Sequence, residues 1–426
     1  MKVLRVIETF LPNITGPVNQ AYRLSLELEK RNIHSPVITT YYNTKNAPNE
    51  EHIDLVSVQR LKYLRIMQYC ISPQLKKALK KSQQEEKIDI IHAHTYRSYQ
   101  TEIAAKFARK QKIPFVLSTH GSLLGYDNYL KNNLVKLPYQ FYDLLTAKKA
   151  ALLADAIIVN SKQEYQEALS FGIQKEKLHL IPVGIDVSLY EQKSSGDKEN
   201  ILNKRTKIIS KDKIRLLFVA RISRNRNLEL LINAVAILQQ KLEQQELINK
   251  KSKNQITQKI IKGLPKIELR IVGKEIINSA TDKLNYLEEM KQLAKKLSVD
   301  TMITFVGEKE GNELINEYKN ADIFVYTSLS ENFGQPILEA AATGLPLLTP
   351  KIGVAAELII PSKTGYFIDY NPIDLAEKIM LLFNKQKREI MGENIQKIVK
   401  QNYAWDSIIS EYNEIYNLLL KNKKVK

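Results

Sequence analysis

Nine consecutive residues, Glu331-Asn332-Phe333-Gly334-Gln335-Pro336-Ile337-Leu338-Glu339, bring together two carboxylates, a glycine and a proline suited to starting a helix. Gly334 permits a close backbone approach, and Pro336 fits the first turn of a helix that runs on through Ala340-Ala341-Ala342. The N-terminus of such a helix offers backbone N–H groups and a partial positive charge, the chemistry that holds a phosphate. Glu331 stays in the loop and Glu339 falls about one turn inside the helix, so the two carboxylates can accept from hydroxyls at two depths of one ligand.

Other polar residues gather behind short apolar runs. In the first half these are Pro12-Asn13-Ile14-Thr15-Gly16-Pro17, His92-Ala93-His94, Thr119-His120-Gly121 and Asn160-Ser161. In the second half they are Ala220-Arg221 with Arg224 and Arg226 close behind, Gly273, Gly307 and Thr327-Ser328. In open parallel α/β sheets, ligands bind outside the carboxyl ends of the strands, where these residues would stand. His92 and His94 share one face of a strand, a spacing open to a metal. No cysteine or third histidine is near them in the sequence, so they read as a structural strand end and no metal site is assigned. His34, His52 and His179 have no constellation. The Gly-x-Gly-x-x-Gly dinucleotide fingerprint, the P-loop and any Asp-x-Asp are absent, which excludes the usual dehydrogenase and P-loop patterns.

The elements that must position these groups are strands alternating with amphipathic helices. Apolar, β-branched runs at 3–7, 36–40, 53–58, 88–93, 115–119, 156–160 and 178–182 predict one parallel sheet. Runs at 215–219, 268–272, 303–306, 323–326, 345–349 and 365–368 predict a second. Helical patterns cover 20–30 and 102–110. A polar stretch at 194–213 reads as a linker, and 239–266 as a helix extended into an exposed insertion. The expected organisation is a domain over 1–193, the linker, a second domain over 214–400, and a closing segment over 401–426.

With 426 residues, the chain suits two domains of about 200 residues each. Cys70 is the only cysteine, which rules out an internal disulfide and favours a reducing, cytoplasmic setting. No apolar run reaches the ~20 residues of a bilayer span, and the N-terminus enters a strand directly, without a signal-peptide pattern. The net charge of +18, from 64 basic and 46 acidic side chains, favours anionic partners: phosphorylated small molecules, anionic lipid or nucleic acid.

The Glu331–Glu339 segment resembles the signature of the retaining family 4 glycosyltransferases of GT-B fold. The flanks agree: Ala321-Asp322-Ile323-Phe324-Val325-Tyr326-Thr327-Ser328 before it, and Ala342-Thr343-Gly344-Leu345-Pro346, Gly353 and Glu357 after it. Pro182-Val183-Gly184-Ile185-Asp186 is similar to the family's hinge segment, and Ala220-Arg221-Ile222-Ser223 to its Gly-Arg-Leu segment. The resemblance covers nearly the whole chain. It implies two Rossmann-like domains facing across a cleft, with the nucleotide sugar on the second. It assigns Arg221 and Arg226 to the diphosphate, Glu331 to donor-sugar hydroxyls, and Asn332, Phe333, Gly334 and Gln335 to sugar and phosphate through their backbone. It also assigns Glu339 to the ribose, His120 to the neighbourhood of the reacting sugar, and Gly16 to the donor-side loop. Three positions depart from the family pattern: Gly16-Pro17 in place of Gly-Gly, Val183 in place of Asn, and Lys274-Glu275 after Gly273.

The implied activity is transfer from a UDP- or GDP-linked sugar to a glycan or lipid-linked acceptor, with retention and no obligatory metal or other cofactor. Two alternatives remain at this point. One is a sugar-nucleotide epimerase or hydrolase of the same fold; the other is a basic membrane- or nucleic-acid-binding protein, although the partner expectation excludes nucleic acid. The stretch Leu61-Lys62-Tyr63-Leu64-Arg65-Ile66-Met67 mixes cations with large apolar groups. Lys76, Lys77, Lys80 and Lys81 follow on a helical pattern with Ile71, Leu75 and Leu79. Together they predict a segment able to lie on an anionic leaflet of the cytoplasmic membrane.

Overall fold

The structure, a computed structural model, describes residues 1–44, 46–66, 69–121, 123, 148–191, 213–251, 265–276 and 285–425. Most of the expected linker (194–212), residues 252–264 of the expected insertion, and Met67 lie outside the described residues. The chain divides into two compact units, residues 1–184 with 405–426, and residues 185–404.

The sheet of the first unit contains β1 (Val3–Val6), β2 (Val37–Thr40), β3 (Glu50–Ile53), β4 (Val56–Leu61), β7 (Ile90–His94), β8 (Phe115–Ser118), β9 (Ala156–Val159) and β10 (Leu178–Leu180). Its order is β10-β9-β8-β7-β1-β2-β4-β3. Every pairing is parallel except that of β3 with β4. The short strands β5 (Leu64–Ile66) and β6 (Tyr69–Ile71) form a separate hairpin. Helices α1 (Gly16–Glu29), α2 (Leu75–Glu85), α3 (Tyr99–Gln111) and α4 (Lys162–Ser170) follow in chain order, and a terminal helix spans Trp405–Val425.

Both faces of this sheet are covered, and its strands alternate between two cores as the pleat requires. Leu4, Val6, Ile91, Leu117 and Ile157 enter one core. Val3, Ile90, Val116 and Ile158 enter the other, where Trp405, Ile408, Ile409, Tyr412, Ile415 and Tyr416 of the terminal helix meet them. The three- and four-residue spacing of those side chains makes the stripe that buries the helix.

Two expectations change here. The single run at 53–58 instead holds the end of β3, a turn with Asp54 at φ 52°, and the start of β4, which pairs antiparallel with β3. Ile71 belongs to the hairpin and not to the helix, which starts at Leu75. Strands of three residues carry too little periodicity to be distinguished from one face of a helix.

The second unit has β11 (Lys213–Val219), β12 (Lys266–Val272), β13 (Ile303–Gly307), β14 (Ile323–Val325), β15 (Leu347–Thr349) and β16 (Gly365–Phe367). All are parallel, in the order β13-β12-β11-β14-β15-β16. Its longer helices include α5 (Leu228–Lys251), α6 (Tyr286–Lys296), α7 (Gly311–Lys319), α8 (Gln335–Thr343) and α9 (Lys385–Asn402). The strand order reverses between β11 and β14, so the crevice beyond their carboxyl ends is where a ligand is expected. The division between units falls at 184/185 and 404/405, and not at 193 and 400. Ile185 N–H donates to the Tyr403 carbonyl at 2.8 Å. Tyr190, on the short helix Val187–Tyr190, packs edge-on against Tyr318 with ring centroids 6.3 Å apart. Residues 185–190 therefore belong to the second unit.

Candidate functional site

In the second unit, two loops meet at the reversal point. After β11 the chain passes Arg221 and makes a single helical turn over Arg224–Arg226, closed by Asn227 at φ 50°. After β14 come Tyr326, Thr327 and Ser328. Their side chains and backbone knit the two loops together: Thr327 Oγ1 donates to the Arg226 carbonyl at 2.9 Å, and Leu329 N–H to the Asn225 carbonyl at 2.9 Å. This brace holds the Arg226 side chain over the start of the Glu331 loop.

Arg226 Nη1 donates to Ser328 Oγ at 2.8 Å and forms an ion pair with Glu331 Oε1. Tyr326 OH donates to the same Glu331 oxygen at 2.5 Å. The Arg226 and Glu331 side chains are 12% and 14% exposed, so the pair is sheltered yet reachable from one side. Burial, with the carboxylate next, pushes the Tyr326 phenol far above its ordinary range and keeps it a donor. Arg221 is exposed and has no ion pair among the described residues. Arg224 is engaged elsewhere, with Glu289 at 2.8 Å and over the Tyr286 ring at 5.2 Å.

Gly334 caps the start of α8 at φ 90°, a left-handed conformation that favours glycine. Asn332 and Phe333 lead into it. Phe333 is buried, and its carbonyl accepts from Val354 N–H at 2.7 Å. Gly353 makes that approach possible, since a Cβ there would stand 2.3 Å from the Phe333 oxygen. As the cap, Gly334 offers no side chain to the first N–H groups of α8, which leaves the helix's N-terminal dipole to a ligand. Gln335 turns inward: its Nε2 donates to Glu339 Oε1 at 3.3 Å. Tyr318 OH donates to Glu339 Oε2 at 2.8 Å, and Tyr190 is a further donor. Burial raises the Glu339 pKa, while these donors pull it back down.

His120 and Gly16 belong to the first unit, and the other eight candidates to the second. Gly16 is exposed and opens α1, directly after Thr15, whose Oγ1 accepts from Val18 N–H at 3.4 Å. His120 stands two residues past the end of β8 at φ 54°, followed by Gly121 at φ 74°. This strained turn is clamped by the buried Glu164 on α4. One of its oxygens accepts from Thr119 Oγ1 and from Gly121 N–H at 2.5 Å; the other accepts from Asn160 N–H at 2.7 Å. His120 Nε2 lies 2.9 Å from His94 Nδ1, and the two rings stack at 5.2 Å.

The polar face behind His120 continues the core that meets the terminal helix. Arg5 pairs in register with His92, and His94 with Ser118. Arg5 Nη1 lies 2.9 Å from His92 Nδ1 and 3.2 Å from His94 Nε2, and Nε donates to Ser25 Oγ at 2.6 Å. Burial pushes His92 and His94 well below the ordinary imidazole range, and brings His120 down to about 4. A third histidine thus does approach the strand pair, through the fold and not through the sequence. Among the described residues no cluster of three His, Cys, Asp or Glu side chains has the arrangement to hold a metal ion.

Sequence reasoning missed Arg5, Glu164, Tyr318 and Tyr326. An arginine inside the apolar run Val3-Leu4-Arg5-Val6 was the one legible signal, because a charge in a strand buried on both faces needs a reason.

The profile of the family described as Glycosyl transferases group 1 matches residues 200–398, and that of Glycosyltransferase Family 4 matches residues 14–189. A glycosyltransferase of Methanocaldococcus jannaschii is 25% identical over 99% of both chains. The alpha-monoglucosyldiacylglycerol synthase of Streptococcus pneumoniae is 24% identical over 96% of this chain and 87% of its own. Among solved structures, Anabaena HepE in complex with UDP-glucose superposes with a TM-score of 0.67 at 19% identity, covering 98% of this chain and 99% of the other.

Proposed function

Since the chain belongs to the family 4 glycosyltransferases of GT-B fold, we propose that it transfers a sugar, with retention, from a nucleoside diphosphate to a glycan or lipid-linked acceptor. The observation that carries this reading is the meeting of Arg226, Glu331 and the uncapped start of α8 at the reversal point of one sheet. Cations and a helix N-terminus suit a diphosphate, and a carboxylate beside them suits sugar hydroxyls.

In this mechanism Arg221, Arg226 and the α8 N-terminus hold the diphosphate and stabilise the charge that grows on it as it leaves. Glu331 holds hydroxyls of the donor sugar, the backbone of Asn332 to Gln335 lies along sugar and phosphate, and Glu339 takes the ribose. Gly16 lines the donor loop and His120 stands beside the reacting sugar. The bond from the anomeric carbon to the phosphate oxygen breaks. The acceptor oxygen bonds to the same face of that carbon, and its proton passes to the departing phosphate. No divalent ion is required.

The UDP-glucose seen in the Anabaena protein makes a uridine nucleotide the first donor to test, with GDP-linked sugars second. A thermal-shift screen of nucleotide sugars, followed by proton NMR of the product, tests the reading. Saturable stabilisation by one donor, a retained anomeric configuration and turnover in EDTA support it. Free sugar released at the same rate with and without acceptor would replace it with a hydrolase.

The acceptor side is proposed to meet an anionic membrane face in the cytoplasm. Lys76, Lys77, Lys80 and Lys81 are all exposed on α2, while Leu75, Ala78 and Leu79 are buried in the core. The apolar contribution comes instead from the β5–β6 hairpin, where Leu64 and Ile66 are 60% and 55% exposed. The name of the streptococcal relative, a diacylglycerol glycolipid synthase, points the same way. Among the described residues no helix is long and apolar enough to cross a membrane. Sedimentation with phosphatidylglycerol vesicles tests this surface. Binding should fall with salt and with Leu64→Ser/Ile66→Ser or the four lysines changed to Glu; no binding at low salt would leave a soluble acceptor.

A further inference from the structure

Arg5 is a fully buried cation with no carboxylate partner among the described residues. Its hydrogen-bond partners among the described residues include a serine, two imidazoles and the Tyr416 phenol, and a guanidinium can only donate. That one fact orders the protons of the neighbouring rings. His94 Nε2 must accept from Arg5, so the proton of neutral His94 sits on Nδ1. Nδ1–H then donates to His120 Nε2, 2.9 Å away. His120, accepting at Nε2, carries its own proton on Nδ1. His92 is ordered in the same way: Nδ1 faces the donors Arg5 Nη1 at 2.9 Å and Tyr416 OH at 2.8 Å, and Nε2–H donates to Ser118 Oγ at 2.8 Å.

We propose that Arg5 and His94 are positioning residues that lock His120 as a neutral ring with its proton on Nδ1, so that it donates a hydrogen bond to the sugar and never takes a proton from the acceptor. This rests on the reading that His120 lies beside the donor sugar.

Adding a proton to His120 Nε2 would set two N–H groups against each other. Shifting the His94 proton to relieve that contact would set Nε2–H against Arg5. The charged and titratable groups around the three linked rings agree. From β1 comes the Arg5 cation, from β7 come His92 and His94, and from the terminal helix come Tyr412 and Tyr416, whose phenols burial pushes up. From α4 comes Glu164, whose oxygens are turned to the backbone N–H groups of Gly121 and Asn160 and to Thr119. The low basicity of His120, near 4 by burial, is of the same sign.

The lock gives a reason for a buried charge without a counterion, an arrangement that is costly, and one in which Arg5 Nη2 meets no hydrogen-bond partner among the described residues. A carboxylate beside Arg5 would neutralise the cation, but it would also invite a second proton onto the histidines.

The test is long-range proton–nitrogen NMR of the full-length protein with histidine ring nitrogens labelled, together with pH profiles of turnover. In the wild type, His120 should show the Nδ1–H tautomer and no titration above pH 5. His94→Asp replaces the Nδ1–H donor by an acceptor. It should move the His120 proton to Nε2, raise its titration above 6.5 and lower kcat about a hundredfold, with KM for the donor within about twofold. His94→Asn still donates and should keep the wild-type tautomer and most of kcat. A wild-type His120 with its proton on Nε2, or charged at pH 7, would overturn the lock without touching the proposed transfer reaction. A His94→Asp tautomer shift that leaves kcat unchanged would keep the lock and remove His120 from the sugar.

Discussion

The two units use a sheltered arginine in opposite ways. In the second, Arg226 faces a carboxylate, Glu331, and the two charges cancel at the sheet's reversal point. In the first, Arg5 is sunk among neutral rings and has no carboxylate partner among the described residues. A guanidinium paired to a carboxylate can exchange that partner for an arriving diphosphate, because one anion replaces another. A guanidinium held by lone pairs of imidazoles has no such alternative, and its effect is to orient protons. The same side chain thus serves as a movable charge in one place and as a fixed donor in the other.

The comparison breaks most visibly at Glu331. Glu331→Ala should lower turnover about a thousandfold with an unchanged circular dichroism spectrum; near-normal steady-state rates would take Glu331 out of the site. Next, Arg226→Ala should weaken free nucleoside diphosphate about a hundredfold and the bare nucleoside less than about twofold. Arg221→Ala and Arg226→Lys should each cost roughly tenfold on the diphosphate. Calorimetry with both ligands decides, and equal losses would place the arginines away from phosphate.

The third effect is in the first unit and concerns pH. His92, His94 and His120 sit below their ordinary 6.5 when folded. Below that pH the unfolded chain binds more protons than the folded one. Stability is therefore full above about pH 6.5 and is lost as pH falls toward 4, the value for His120. Each histidine contributes about 1.4 kcal/mol per pH unit, tenfold in the opening equilibrium. Hydrogen exchange, corrected for its intrinsic pH dependence, should show β7 and β8 losing protection between pH 7 and 5 while β11 and β12 hold theirs. Equal losses in both sheets would erase the contrast. The smallest effect is at the exchangeable pair: Glu331→Gln removes the negative charge beside Arg226 and should tighten free nucleoside diphosphate about threefold, even as transfer fails.

Much of this was legible in the sequence because strand ends announce themselves. Apolar, β-branched runs followed by Gly, Ser, His or Arg located the edges of both sheets, and Gly334 with Pro336 marked the start of α8. What stayed hidden depended on contacts distant in sequence. Glu164 looks like any acid in the first turn of a helix until Thr119 and Gly121 come to it from 45 and 43 positions away. Tyr318 reads as one aromatic on an amphipathic helix, yet it holds Glu339. Ile71 reads as part of the helical pattern of α2 because the strands of its hairpin are only three residues long and carry too little period of their own.

The terminal helix has a consequence for how the protein is made. Trp405, Ile408, Ile409, Tyr412 and Tyr416 cover Val3, Ile90 and Val116, residues translated hundreds of codons earlier. While the ribosome works through the second unit, the part of that sheet face which the terminal helix covers stands open to solvent, with Arg5 and His92 on its central strands. Nascent chains should therefore need a chaperone's protection until the helix over Trp405–Val425 clears the exit tunnel. A premature stop before codon 405 would yield a polypeptide whose second unit is intact and whose first unit is a surface for aggregation.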